Sequence, residues 1–219
     1  WGGGTYHVVI EYRTVFSVSR KETQTLPIFC TAHSQEPRKN VYTAMKFLWD
    51  NGFSTGFLTT PRPLFYSEYF RGTFYRGVEG DNLYHYIHDR DKETVEKMLP
   101  MAARWFAKLH SIDIGKADNF NHENSRIATT FPGIPHILSR IEERYPEYLE
   151  RYRKAYALLS GKEEAYFAGG GHHTLVHGDA HPENIIKMGK KKTAVIDFTD
   201  LCLSDYARDI GSFCQQLEF

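Results

Sequence analysis

The residues best placed to do chemistry lie near the end of the chain. They read His177-Gly-Asp-Ala-His-Pro-Glu-Asn184 and, one apolar run later, Ile196-Asp197-Phe198. Asp179 and Asn184 lie five positions apart across a tight loop, and Asp197 ends the next hairpin. Three oxygen-bearing side chains can thus converge at one mouth of a small sheet. The Asn184 amide oxygen and the Asp197 carboxylate are hard donors, suited to a Mg2+ ion that keeps part of its water and takes up phosphate oxygens. Asp179, displaced from that pair, is left to accept the proton of a substrate hydroxyl. Phosphoryl transfer needs this division of labour, because positioning and charge neutralisation supply most of its catalysis.

Other chemistry competes for the same residues. His177, Asp179 and His181, with His172 and His173 nearby, could be ligands of a metal-dependent hydrolase. Such sites want tetrahedral N and S ligands, and this reading leaves Asn184 and Asp197 without a role. His172, His173 and His181 read instead as loop or structural histidines. Gly52-Phe-Ser-Thr-Gly56 matches a nucleophile elbow literally, but it follows a helical pattern and runs into prolines, so it reads as a helix stop. Lys190 to Lys192 reads as a solvated hairpin tip, and Gly169 to Gly171 as a turn. Asp200 and Asp205 either line an acceptor site or cap a loop.

These residues need a frame. The chain has 219 residues, 41% of them hydrophobic and 25% charged, enough for a core in one large domain or two small lobes. With 27 basic and 27 acidic side chains its net charge is zero, which argues against a nucleic-acid partner. Cys30, Cys202 and Cys214 lack disulfide or zinc spacing and read as reduced thiols. No apolar run approaches the length of a membrane span and no signal pattern opens the chain. The expectation is a cytoplasmic protein with no membrane partner.

Periodicity gives the order of elements. Residues 7–18 and 26–32 read as strands around a polar turn over 19–24. Pro37 opens a helix carrying Val41, Ala44, Met45 and Leu48, stopped by Asn51-Gly52. Residues 66–78 read as one or two further strands, with Tyr66, Tyr69, Phe70 and Phe74 as core or interface. Then come a short helix over 82–87 and a long one over 91–110, in which Pro100 predicts a kink or a late start. An irregular stretch over 115–135 precedes a helix over 137–159. Strand-like pieces at 174–177, 184–188 and 193–198 carry the chemistry, and an amphipathic helix from Tyr206 runs to the last residue. The fold class is α+β: an N-lobe over 1–79, a small antiparallel sheet with one helix, and a larger, mainly helical C-lobe over 80–219 that reads as truncated.

His-Gly-Asp, then Asn184, then Ile-Asp-Phe, resembles the aminoglycoside phosphotransferase and choline kinase-like family, with its two-lobed protein-kinase-like fold. Tyr75-Arg-Gly-Val-Glu-Gly-Asp-Asn-Leu83 is similar to that family's hinge, and Leu109-His-Ser111 to the exit of its first long C-lobe helix. Asp205 and Asp209 also fit the pattern. The resemblance runs from about Pro27 to the end. It implies an ATP-dependent kinase acting on a hydroxyl of a small molecule, an amino-sugar or amino-alcohol. Asp179 would be the catalytic base and Asn184 and Asp197 would hold Mg2+. His177 would orient the catalytic loop from below. Phe74, Tyr75, Arg76, Gly77 and Val78 would receive the adenine of ATP, and Gly2-Gly3-Gly4 could be the remains of the loop over its phosphates. One departure stands out. The family's N-lobe strand carries a Lys for the phosphates, paired with a Glu on the next helix. Here Ile28-Phe-Cys-Thr-Ala-His-Ser34 has no Lys, and Arg38, Lys39 or Lys46 would have to substitute. The alternative is a nucleotide-binding scaffold that kept the fold without efficient chemistry.

Overall fold

A computed structural model of the chain describes residues 7–34, 38–130, 132–171 and 173–217. Gly2-Gly3-Gly4, Pro37 and His172 lie outside these. The β-branched and aromatic residues at the start pair as an antiparallel hairpin, β1 (His7–Ser19) with β2 (Glu22–His33). Its turn is shorter than the polar stretch suggested. Thr23 and Thr25 are β-branched and sit in the ladder opposite Ser17 and Val15. After α1 (Lys39–Leu48) and the helix stop at Asn51-Gly52 come β3 (Leu58–Thr59), β4 (Arg62–Ser67) and β5 (Gly72–Arg76). One sheet has the order β1-β2-β5-β4. Strand β5 pairs only with residues 28–32 of β2, so the outer part of the hairpin is two-stranded, and all of β1 is exposed.

The C-terminal elements begin with α2 (Leu83–His88), capped by the Asn82 side chain, which accepts from His85 N at 2.8 Å. Helix α3 (Lys92–His110) is capped by Asp91, and it runs unbroken through the exposed Pro100, without the kink or late start expected there. The single helix expected over 137–159 is two, α4 (Ile134–Arg144) and α5 (Leu149–Ala168). They break at Tyr145-Pro146, because Pro has no N–H to continue a helix and keeps its predecessor out of the helical region. Strand β6 (Thr174–Val176) pairs with β9 (Cys202–Ser204), a three-residue strand too short to leave a periodic signal. Strand β7 (Ile185–Met188) pairs with β8 (Lys192–Val195) through the lysine-rich tip, and α6 (Ala207–Leu217) follows.

The core crosses the waist of the molecule. Val41, Ala44, Met45 and Leu48 of α1 join Ala102, Trp105 and Leu109 of α3 and Ile185 and Val195 of the β7–β8 pair in one buried cluster. Each large side chain in it contributes roughly 1.5–3 kcal/mol by leaving water. Strand β3 lies parallel to β8, and the fully buried Trp105 donates Nε1–H to Thr59 O at 2.8 Å. The outcome is the expected two-lobed α+β architecture. The N-lobe aromatics divide differently from expectation. Phe74 is buried, stacked on Phe65, whereas Tyr69 (89% exposed) and Phe70 (55%) sit at the β4–β5 turn in solvent. Among the described residues no helix is long and apolar enough to cross a membrane.

Candidate active site

The loop after β6 is held from below. His177 is fully buried among Trp105, Phe106 and Phe198, and its Nε2 lies 2.9 Å from Ile196 O. An Nε2–H tautomer donates there and leaves Nδ1 to accept from Asp179 N at 3.4 Å. Asp209 of α6 supports the same loop. Its buried carboxylate accepts from His177 N (2.8 Å) and Gly178 N (2.9 Å) and meets His110 Nε2 at 2.9 Å. Position 178 has to be glycine: its φ is +84°, and a Cβ there would stand 2.2 Å from Asp200 O.

Asp179 leaves this loop half-exposed. Its Oδ2 lies 3.3 Å from His181 Nε2, and that contact holds the Asp179 carboxyl below its ordinary pKa while raising that of the His181 ring. His181, which the sequence left as a loop histidine, is thus the nearest titrating neighbour of Asp179. The spacing of two residues was a visible signal, but nothing in the sequence said that both side chains turn the same way.

Asn184, in a short 3-10 turn leading into β7, donates Nδ2–H to Asp179 O at 3.0 Å. Strand β8 stops at Val195, three residues earlier than expected, so Asp197 is free of the ladder and takes a left-handed φ of +61°. Such a conformation in a non-glycine residue is concentrated at functional sites. Thr199 fixes the carboxylate, donating its N–H (3.3 Å) and Oγ1–H (2.7 Å) to Asp197 Oδ1. Asn184 Oδ1 and Asp197 Oδ2 have no hydrogen-bond partner among the described residues. Both residues line one cavity, so two hard oxygen donors are available there. No three His, Cys, Asp or Glu side chains among the described residues are grouped to hold a metal.

That cavity, about 340 Å³, lies between the sheet and the β7–β8 pair. Strand alternation decides which residues reach it. Phe29, Thr31 and Tyr75 face it with Gly77 and Val78, whereas the Phe74 and Arg76 side chains lie outside its lining. Burial, with the charge of Asp197, pushes the Tyr75 phenol up to about 12. The sequence-predicted residues Tyr75, Gly77, Val78, Asn184 and Asp197 therefore meet at one cleft.

The missing lysine leaves a visible gap. The cavity-facing positions of β2 and α1 are Phe29, Thr31, Val41 and Met45, none of them charged. Of the three candidate substitutes, Lys39 pairs with Glu68 (3.5 Å) and Lys46 with Asp50 (2.6 Å), both at the surface. Arg38 is 6% exposed, and its Nη1 donates to Thr199 Oγ1 at 3.2 Å. It is therefore two hydrogen bonds from Asp197. Asp200 lies on the other side of the cluster and accepts from Asn121 Nδ2 (3.3 Å) and Asn124 Nδ2. Burial, then the charges of Asp179 and Asp197, raise its carboxyl above the ordinary value. Asp205 caps α6 through Ala207 N at 2.7 Å.

The sequence profile of the phosphotransferase enzyme family matches residues 13–219. No curated protein matches the chain. In fold the chain is similar to an aminoglycoside phosphotransferase from Streptomyces rimosus (TM-score 0.61, 17% identity, 87% of this chain and 74% of that one). It is also similar to a choline/ethanolamine kinase family protein from Mesorhizobium loti (TM-score 0.57, 16% identity, 96% and 65%). A third likeness is to the ternary complex of streptomycin and ATP with APH(2")-IIa (TM-score 0.55, 18% identity, 90% and 69%). The chain spans 65% to 74% of the length of these three proteins.

Proposed function

Because the chain belongs to the phosphotransferase enzyme family, we propose that it transfers the γ-phosphoryl group of ATP to a hydroxyl of a small molecule such as an amino-sugar or amino-alcohol. The observation that carries this reading is the pair of unpartnered oxygens, Asn184 Oδ1 and Asp197 Oδ2, on the cavity that Tyr75, Gly77 and Val78 also line. That donor set fits Mg2+. The chemistry a bound Mg2+ supplies is neutralisation of charge on the phosphate oxygens.

The chain's own residues do the rest. ATP lies between the lobes, residues 1–79 and 80–219, with its base against Tyr75, Gly77 and Val78. Asp179 accepts the proton of the acceptor hydroxyl as that oxygen attacks phosphorus, its orientation fixed by His177 and Asn184. Its lowered pKa keeps the carboxylate ionised and ready to accept. Arg38 holds Asp197 through the Thr199 hydroxyl and brings positive charge to the side of the cleft where the family has its lysine. Asp200 and Asp179 offer acidic groups to a cationic acceptor.

The test is turnover of Mg-ATP with a panel of amino-sugars and amino-alcohols. Asp179→Ala is expected to abolish phosphorylation while leaving Mg-nucleotide affinity within about twofold; unchanged turnover would sink the assignment of the base. The uncharged Thr31, Val41 and Met45 favour a second reading, a scaffold that binds nucleotide without chemistry. It predicts Mg-dependent binding with no acceptor phosphorylated anywhere in the panel.

A further inference from the structure

The strand alternation that turns Tyr75 into the cleft turns Arg76 to the opposite side of the hinge. There it helps to line a second cavity of about 370 Å³, with Thr60, Arg62, Glu79 and Lys192. Gly77 and Val78 line both cavities, so the hinge backbone is the wall between them.

Two observations about the second cavity point the same way. Arg62 and Arg76 are direct cross-strand partners on β4 and β5, and like charges placed opposite one another destabilise a ladder. Neither arginine, nor Lys192, makes a side-chain hydrogen bond or ion pair among the described residues, and Glu79 is the single acid on the lining. An anion between the arginines removes that like-charge penalty. Guanidinium forks match the oxygens of a phosphate bidentately, and Lys192 adds a point charge.

We propose that this cavity behind the hinge is a binding site for a small multiply charged oxyanion, inorganic phosphate or a phosphate ester, separate from the nucleotide cleft. The proposal goes beyond the phosphotransferase reading and does not depend on it.

The experiment titrates inorganic phosphate, and separately pyrophosphate, into the full chain by calorimetry, with ionic strength held constant by chloride. Saturable binding is expected for at least one of them. It should weaken about tenfold in Arg62→Gln and in Arg76→Gln, the loss from removing one charge-assisted pair. Saturating Mg-ADP, held across the hinge, should leave it unchanged. In chloride alone both arginine variants should melt no lower than the wild type, since each removes one of two facing like charges. The site is refuted if neither anion binds saturably, or if binding is the same in the arginine variants. Binding that Mg-ADP displaces would place the anion in the cleft and equally overturn the proposal. So would a lower melting temperature of the arginine variants in chloride, which would mean that the guanidinium groups are already satisfied.

Discussion

Arg38 and His181 each act on a neighbour to which we have given a role by proposal, Asp197 and Asp179. If Arg38 steadies Asp197 through Thr199, Arg38→Ala should weaken Mg-nucleotide binding about tenfold, the scale of one hydrogen bond to a charged group. Thr199→Val should produce a similar loss, and the double variant should lose little more than either single one, because both cut the same chain of contacts. Calorimetry with Mg-ADP reads this directly. The Asp179–His181 pair makes a pH prediction. Asp179 is lowered from 3.8, so its contribution to stability is present above that value and fades as the pH falls through the folded pKa. His181 is raised from 6.5, so its contribution is complete below that value and fades as the pH rises through the folded pKa. The stability difference between wild type and His181→Gln should therefore be largest between about pH 4 and 6.5 and vanish in alkaline buffer. Melting curves across that range check the sign. Asp179 is 44% exposed, so solvent screening keeps the effect small.

At the scale of elements, the loop after β6 is fastened to two helices by one carboxylate. Asp209→Ala leaves His177 N, Gly178 N and His110 without their shared partner in a buried setting. It should cost about 2–5 kcal/mol in urea denaturation, because each buried donor left unpaired costs about 1–3 kcal/mol. Helix α3 offers the opposite case. Pro100 is exposed within an otherwise regular helix, so Pro100→Ala restores a backbone donor at little packing cost. A gain of about 1–3 kcal/mol is expected in the same assay, somewhat offset by the freer unfolded chain. These elements also show where the sequence could be read. Helix α1 and the β7–β8 pair were visible in their apolar spacing, and Asp179, Asn184 and Asp197 in their order. The break at Tyr145 was written in Pro146, yet apolar residues on both sides carried one helical period across it. Strand β9 and the pairing of β3 with β8 depend on partners distant in the chain, which no local pattern encodes. Asp209 and His181 had the right residue types at motif spacing, but their roles follow from which backbone and side-chain groups the fold turns toward them.

For the whole molecule, the cleft lies across a core that already joins its two walls. A ligand bound there contacts both walls and should stabilise the folded chain as a unit. Mg-ADP at a hundred times its Kd is expected to add about 2.7 kcal/mol, and the same nucleotide with EDTA, or added to Asp197→Ala, much less. A single unfolding transition should be retained throughout, because the cluster of α1, α3 and the β7–β8 pair leaves neither half a separate core. The two-lobed plan was legible from the succession of strands and helices, but the sharing of one core was not. It depends on Met45 and Trp105 facing a common interior from elements far apart in sequence.

The outer half of the β1–β2 hairpin has a consequence for handling the protein. Val15, Phe16 and Val18 lie in the open there, at 63%, 43% and 52% exposure, and the free side of β1 carries no further strand among the described residues. An edge of this kind is a template on which other chains can add by backbone pairing. Concentrated solutions of these 219 residues are therefore expected to begin scattering light below their melting temperature, which light scattering during a thermal ramp checks. The remedy is a gatekeeper charge, such as Val15→Lys at the tip, far from the cleft, which leaves the fold intact and raises the concentration at which scattering begins.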